Sequence, residues 1–420
     1  MPHLRLAALA ACLVLSACSA RAPRPAEPAA RTVVLVSIDA FRADYLSNDA
    51  TPNLARIARE GTHAAWMNPS YPSLTFPNHY TLATGLRPDH HGVIHNRMSD
   101  SGIGDFAVAD RKAVDDTRWW GGEPIWVTAE KQGVRSASWA WPGSSAAIGG
   151  VRPSRWVAYD ESVPPARRID DVLSWLDAPQ AQRPRLVAVY FEQLDKAGHD
   201  HGPESPQVRS TLRELDAVIG RLHDGLAARG LLDSTDLIVV SDHGMATVAP
   251  NHTISVEQMI APSIATVVSD GQSIGVQPLP GFEREAEARL LGPHAQYDCY
   301  RREDLPVRWH YGTSPRVPPI VCQMHEGWDA LYPKKLATKP NVTRGSHGFD
   351  PALPSMRALF VARGPSFVPG STLPAFDNVD VYPLLARLLG IDAAPNDGDI
   401  APLLPALRGP ASIGNAAPEH

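Results

Sequence analysis

Four short apolar runs rich in β-branched residues constrain this chain most: Thr32–Ile38, Leu186–Phe191, Asp236–Val240 and Arg357–Ala362. A strand with one face in water alternates apolar and polar residues. An unbroken apolar run belongs to a strand covered on both faces, as in a parallel sheet. All four are read as buried parallel strands, with Ser136–Trp141 as a weaker fifth. Helical patterns lie between them, at Pro52–Glu60, Glu123–Gln132, Arg168–Leu176, Ser205–Arg229 and Asn378–Leu389. Within 205–229, Val208, Leu212, Leu215, Ile219 and Leu222 recur at three- or four-residue steps and form one apolar stripe. Thr51 predicts an N-cap, Gly61 a helix stop and Gly390 another. Strands alternating with helices predict an α/β fold, a doubly wound and mostly parallel sheet. Residues 246–346 lack the alternation and are rich in Pro and Gly, so they are read as an irregular insertion with short antiparallel strands. The catalytic body is placed at 32–405, and 406–420 is read as a loose tail.

The N-terminus reads as an address. Arg5 precedes an apolar run from Leu6 to Ala17, too short for the ~20 residues that span a bilayer but suited to a secretory signal. Leu15-Ser16-Ala17-Cys18 resembles a bacterial lipoprotein signal, so residues 1–17 are expected to be removed and Cys18 lipidated. Cleavage a few residues later, with Cys18 lost, is the alternative. The Ala/Pro/Arg-rich stretch at 18–31 is then a tether, and the protein is exported to the periplasm on a membrane anchor. Of the 4 cysteines only Cys299 and Cys322 lie away from this segment, and an oxidising compartment predicts a disulfide between them. Thiolate zinc sites of the finger type are excluded. A net charge of −6 speaks against a nucleic-acid duplex as partner.

Ligands of an open α/β sheet bind beyond the carboxyl ends of its strands. Asp39 follows the first run, Asp195 follows the second and Asp242-His243 closes the third. One such Asp is usually a helix cap. Three at one edge repel one another and call for a cation. His199 stands four residues after Asp195, one helical turn on, and His347 lies between Gly345 and Gly348. Nitrogen and oxygen donors without thiolate suit zinc, with manganese or iron as weaker options. Thr75 precedes Phe76-Pro77, where Thr suits an N-cap and Pro a first helical turn, so its hydroxyl is a candidate nucleophile. A plain capped helix is the alternative at that residue.

Six segments, SIDAFRADYL at 37–46, Leu74 to Asn96, YFEQLDKAGHDHGP at 190–203, SDHGM at 241–245, GSHGFD at 345–350 and FDNVDVYPLLARLLGIDAAPNDG at 376–398, together resemble the nucleotide pyrophosphatase/phosphodiesterase family of the alkaline phosphatase superfamily. The resemblance implies two zinc ions, one on Asp39, Thr75, Asp242 and His243 and one on Asp195, His199 and His347. It implies a double displacement in which Thr75 attacks phosphorus and water later releases the product. Asn96, helped by the Phe76 N–H, would donate to a non-bridging oxygen. Ser346 departs from the commoner Asn at that place.

The stretch LTFPNHY lacks the C/S-x-P-x-R pattern of the superfamily's sulfatases, and no Arg stands where a monoester would need a clamp. Phosphodiesters are favoured. Phe76 and Tyr159 match positions that sandwich a base, which points to a small-molecule nucleotide cleaved to its 5′-monophosphate. A lipid or choline phosphodiesterase, a monoesterase and a non-catalytic zinc-stabilised surface lipoprotein are the alternatives. The oligomeric state is left open.

Overall fold

The computed structural model describes residues 31–409. The signal, most of the tether and Cys18 lie outside the described residues. Eight strands form the main sheet: β1 (Thr32–Ile38), β2 (Thr62–Ala64), β3 (Ser136–Trp139), β4 (Arg155–Val157), β5 (Leu186–Phe191), β6 (Thr235–Val240), β7 (Phe360–Arg363) and β8 (Ser371–Leu373). Their order is β8-β2-β7-β6-β1-β5-β3-β4. β1 is central and parallel to both β5 and β6, and β3 and β4 extend the parallel half.

β7 runs antiparallel to β6. This corrects the reading of Arg357–Ala362 as a parallel strand. An apolar run reports burial on two faces and carries no sign of direction. A parallel pairing needs a crossover of about a dozen residues or more, usually a helix. Between His347 and Phe360 there is only a short 3₁₀ turn at Pro354–Met356, so the chain comes back down from the strand ends it has just reached.

Period-2 alternation in β1 divides the core into two layers. Val33 and Leu35 pack with Tyr80, Trp126 and Leu384. Val34 and Val36 pack on the other face with Ile57, Ile169 and Leu215. The helices start where caps or prolines allow. Ser205 accepts from the Val208 N–H at the head of helix Pro206–Ala228. Thr51 stands at the N-cap of Pro52–Glu60, but its side chain makes no capping hydrogen bond. Its hydroxyl bonds the carbonyls of Tyr45 and Ser47, and the carboxylate of Asp216, on the neighbouring helix, accepts from the N–H groups of Asn53 and Leu54. Helix Val381–Leu389 ends at Gly390 in the left-handed region, φ 69°.

Asp380, at the start of that last helix, is pushed up to about 6 by burial, with the charges of Asp377 and Asp399 adding to it. A carboxyl raised on folding contributes stability below its unfolded pKa of ~3.9 and loses it as pH rises toward 6. Asp380→Asn should therefore stabilise the protein at pH 7 by roughly 1 kcal/mol and leave it unchanged at pH 4. Denaturant midpoints at the two pH values check this.

Residues 246–346 close on themselves. Ala246–Val248 pairs antiparallel with Arg344–Ser346, placing Ala246 opposite Ser346. Inside lies a five-stranded antiparallel sheet spanning Ala265–Val267 to Ile320–Met324. Cys299 and Cys322 face each other across two of its strands and are disulfide-bonded, Cα atoms 4.0 Å apart. Of the tail read as loose from 406, Leu407 bridges Phe367 and the Arg408 N–H donates to the Ser366 carbonyl; residues 410–420 lie outside the described residues.

Candidate active site

The parallel strands deliver their acidic residues to one edge. Asp39 follows β1, helix Gln193–His201 carries Asp195 and His199 after β5, and Asp242-His243 follow β6. Ala40, next in the chain, has φ 59°, uncommon for a residue with a Cβ. That turn lets its N–H donate to Asp242 Oδ1 at 3.2 Å. His347 arrives by the closure of the insertion. A Cβ on Gly345 would stand 2.5 Å from the carbonyl oxygen of Gly198, so only glycine lets this strand lie against the helix holding Asp195. Gly348 has φ 98°.

The three imidazoles share one arrangement. Their Nδ1 atoms face backbone carbonyls: His199 to Gly345 at 3.1 Å, His243 to Gly244 at 2.9 Å and His347 to Ser73 at 3.0 Å. With the proton held on Nδ1, each Nε2 presents a lone pair. Those lone pairs face carboxylate oxygens. His199 and His347 Nε2 each lie 3.4 Å from Asp195 Oδ1. His243 Nε2 lies 2.9 Å from Asp242 Oδ2 and 3.6 Å from Asp39 Oδ1.

These same three oxygens, Asp39 Oδ1, Asp195 Oδ1 and Asp242 Oδ2, are buried without a hydrogen-bond partner. Lone pair facing lone pair in a buried site is repulsive unless a cation stands between them. Burial, followed by the charges of Asp242 and Asp195, pushes the Asp39 carboxyl well above its ordinary range. Burial raises Asp195 as well, against the pull of His199 and His243. Burial and the neighbouring His243 and His199 hold His347 well below the usual imidazole value, in the neutral form that ligates metals. The residues therefore fit a metal centre. Donor atoms of Asp195, His199 and His347 lie within 4.8 Å of one another, as do those of Asp39, Asp195 and His243. The two groups adjoin through Asp195.

Thr75 opens helix Thr75–Thr84 and is its first residue; the N-cap position belongs to Leu74. Its hydroxyl does no capping and stands 3.4 Å from His243 Nε2. Asn96 Oδ1 accepts from the Phe76 N–H at 3.0 Å. The sequence reading had both groups donate to substrate. Here the N–H is spent on holding Asn96, and the Asn96 NH₂ is the donor left for a ligand. Thr75, Phe76, Asn96 and Tyr159 line one cavity of about 540 Å³ with Asp39 and Asp195 on its floor. The Tyr159 ring is 41% exposed at the mouth.

Two contributors escape a linear reading. Tyr190, the penultimate residue of β5, donates its hydroxyl to Asp39 Oδ2 at 2.5 Å. His79 lies one turn beyond Thr75; its Nδ1 bonds the Thr75 carbonyl at 2.9 Å and stands 3.3 Å from Asp242 Oδ2, while Nε2 pairs with the Ser37 hydroxyl. His79 is not among the ligand candidates read from the sequence, yet its donor atom lies within 4.8 Å of those of Asp39 and Asp242. The four-residue spacing from Thr75 was the available signal. Tyr190 looks like any strand aromatic.

The family described as type I phosphodiesterase/nucleotide pyrophosphatase matches residues 33–350. An uncharacterized pyrophosphatase/phosphodiesterase of Schizosaccharomyces pombe is 37% identical over 90% of this chain and 80% of its own length. Family member 3 of the mouse ectonucleotide pyrophosphatase/phosphodiesterases is 37% identical over 87% of this chain. A venom phosphodiesterase of Crotalus durissus collilineatus is 36% identical over 90%. The chain spans less than half of the mouse and snake relatives, 43% and 46%. Among solved structures, murine ectonucleotide pyrophosphatase/phosphodiesterase 5, as an inactive variant in complex with AMP, superposes with TM-score 0.84 at 32% identity, covering 90% of this chain and all of that one. Among the described residues no helix is long and apolar enough to cross a membrane.

Proposed function

The chain belongs to the type I phosphodiesterase/nucleotide pyrophosphatase family of the alkaline phosphatase superfamily, and from that premise we propose that it hydrolyses nucleotides to nucleoside 5′-monophosphates with two zinc ions and a phosphothreonine intermediate. One observation carries the reading. Three unpartnered carboxylate oxygens face three Nε2 lone pairs beside the Thr75 hydroxyl, and Asp39, Thr75, Asp195, His199 and His347 of this set line an aromatic-walled cavity.

Three imidazoles and three carboxylates form a donor set that suits zinc. Asp39, Asp242, His243 and Thr75 would hold one ion, and Asp195, His199 and His347 the other. Bound ions would lower the pKa of the threonine hydroxyl and offset charge on the leaving oxygen. Thr75 Oγ1 then attacks phosphorus, and the bond to the leaving alcohol or pyrophosphate breaks. Water cleaves the phosphothreonine, returning the hydroxyl and freeing the monophosphate. The Asn96 NH₂ donates to a non-bridging oxygen, where charge grows in the transition state. Phe76 and Tyr159 take the base between them, worth ~1–3 kcal/mol and tolerant of base identity. The murine neighbour's complex with AMP supports a nucleotide in this fold. Export agrees with the apolar stretch before Cys18 and with relatives named as ecto- or venom enzymes; a lipid anchor at Cys18 in a bacterial membrane completes the proposal.

The test compares nitrophenyl thymidine monophosphate with nitrophenyl phosphate. The diester should be cleaved faster by at least about tenfold in kcat/KM; equal or faster cleavage of the monoester refutes a diesterase. Tyr159→Ala should raise KM for the thymidine ester about tenfold and change that for bis(nitrophenyl) phosphate, which carries no base, much less.

A further inference from the structure

Arg168, in helix Pro165–Leu176, is completely buried. Its guanidinium donates to Glu192 through both terminal nitrogens, at 2.5 and 2.7 Å. It donates further to the carbonyls of Tyr190, Val163 and Asp160, at 2.9, 3.2 and 3.4 Å. The Trp139 ring lies 4.6 Å from it. A buried ion pair is a poor source of stability, because apolar residues of the same volume often serve as well or better. What this one does is join its own helix to the end of β5, where Tyr190 and Glu192 line the cavity, and to the stretch that follows Tyr159. Glu192 and Tyr159 line the cavity itself. Residues 160–163 are the loop that carries Tyr159 away from β4, with no strand or helix of their own. The Tyr159 carbonyl itself accepts from Arg111, at 2.8 Å. The half-exposed ring lies 6.4 Å from the Tyr190 ring, and the backbone on either side of it is held.

We propose that the Arg168–Glu192 pair is a positioning element for the Tyr159 platform, acting on nucleotide affinity through the loop that Arg168 grips. Lysine cannot replace it, because a point charge reaches Glu192 but loses the planar fork that also binds three carbonyls. The inference rests on the reading that Tyr159 stacks the base.

The experiment measures KM and kcat of the full-length protein on nitrophenyl thymidine monophosphate and on bis(nitrophenyl) phosphate. Arg168→Met combined with Glu192→Gln removes both charges and keeps the volume. It should raise KM for the thymidine ester about tenfold relative to any rise for the aryl diester, with kcat for the ester held within threefold. Adding Tyr159→Ala should bring no further rise. Arg168→Lys, which keeps a charge opposite Glu192, should show the same selectivity in smaller measure, and it serves if the double variant does not fold. Equal effects on both substrates, or KM increases that multiply when Tyr159→Ala is added, overturn the proposal. If Tyr159→Ala alone affects both substrates equally, the stacking reading falls, and this inference falls with it. A selective effect of Tyr159→Ala without one from folded Arg168 variants overturns this inference alone.

Discussion

Thr75→Ala should abolish nucleotide hydrolysis while the protein keeps its fold and its bound metal. Losing a nucleophile costs about 10⁴-fold or more in kcat when the surrounding machinery cannot substitute for it. Thr75 Oγ1 is the hydroxyl beside His243 Nε2, and the next side chain in the helix, Phe76, has no nucleophilic atom. The fold should survive because the hydroxyl caps nothing: Leu74 occupies the N-cap position, and alanine suits a first helical turn. Thr75→Ser should retain measurable turnover. The check is kcat alongside metal content and melting temperature. Activity persisting in Thr75→Ala with full metal content removes Thr75 as nucleophile.

Chelation should abolish activity and lower the melting temperature by several degrees. Added zinc should restore both. The three unpartnered carboxylate oxygens are the reason. In the apoprotein they face lone pairs and one another in a buried site, so the free energy of metal binding adds to that of folding. A ligand present at ~1,000 times its dissociation constant stabilises by ~4 kcal/mol. Differential scanning calorimetry with and without chelator reads this without any substrate, so it is independent of the assignment of Thr75. Recovery with magnesium alone refutes zinc, and an unchanged melting temperature refutes a metal centre at this edge.

Much of this was legible beforehand because it is local. The central strands announced themselves by apolar runs, and each placed a carboxylate one to four residues after its end, where topology requires a parallel sheet to bind ligands. Asp195 and His199 were readable as a pair because one helical turn links them. Direction was not readable. Arg357–Ala362 is as apolar as its parallel neighbours, but the chain reaches β7 from the same edge as the site and runs back. Thr51 holds the N-cap position of helix Pro52–Glu60 but not the capping hydrogen bonds. Thr51 has the right chemistry, yet Asp216, more than 160 residues away, takes the job. Phe76 and Asn96 were paired as two donors, and only their geometry revealed that one spends itself orienting the other.

What the sequence determined alone is the chemistry on offer: three carboxylates, three imidazoles and a threonine at strand and helix ends, with no thiolate in reach. Those choices follow from residue type and spacing, which act over a few residues. What tertiary structure decided is which atoms confront one another. His347 reaches the site because Ala246 pairs with Ser346 and a hundred-residue excursion closes. Asp39 is held by Tyr190 from the adjoining strand, and Asp242 is backed by His79 from the nucleophile's helix. Long-range pairing is fixed by burial and by the hydrogen bonds that buried groups must find, and those partners are distant in the chain.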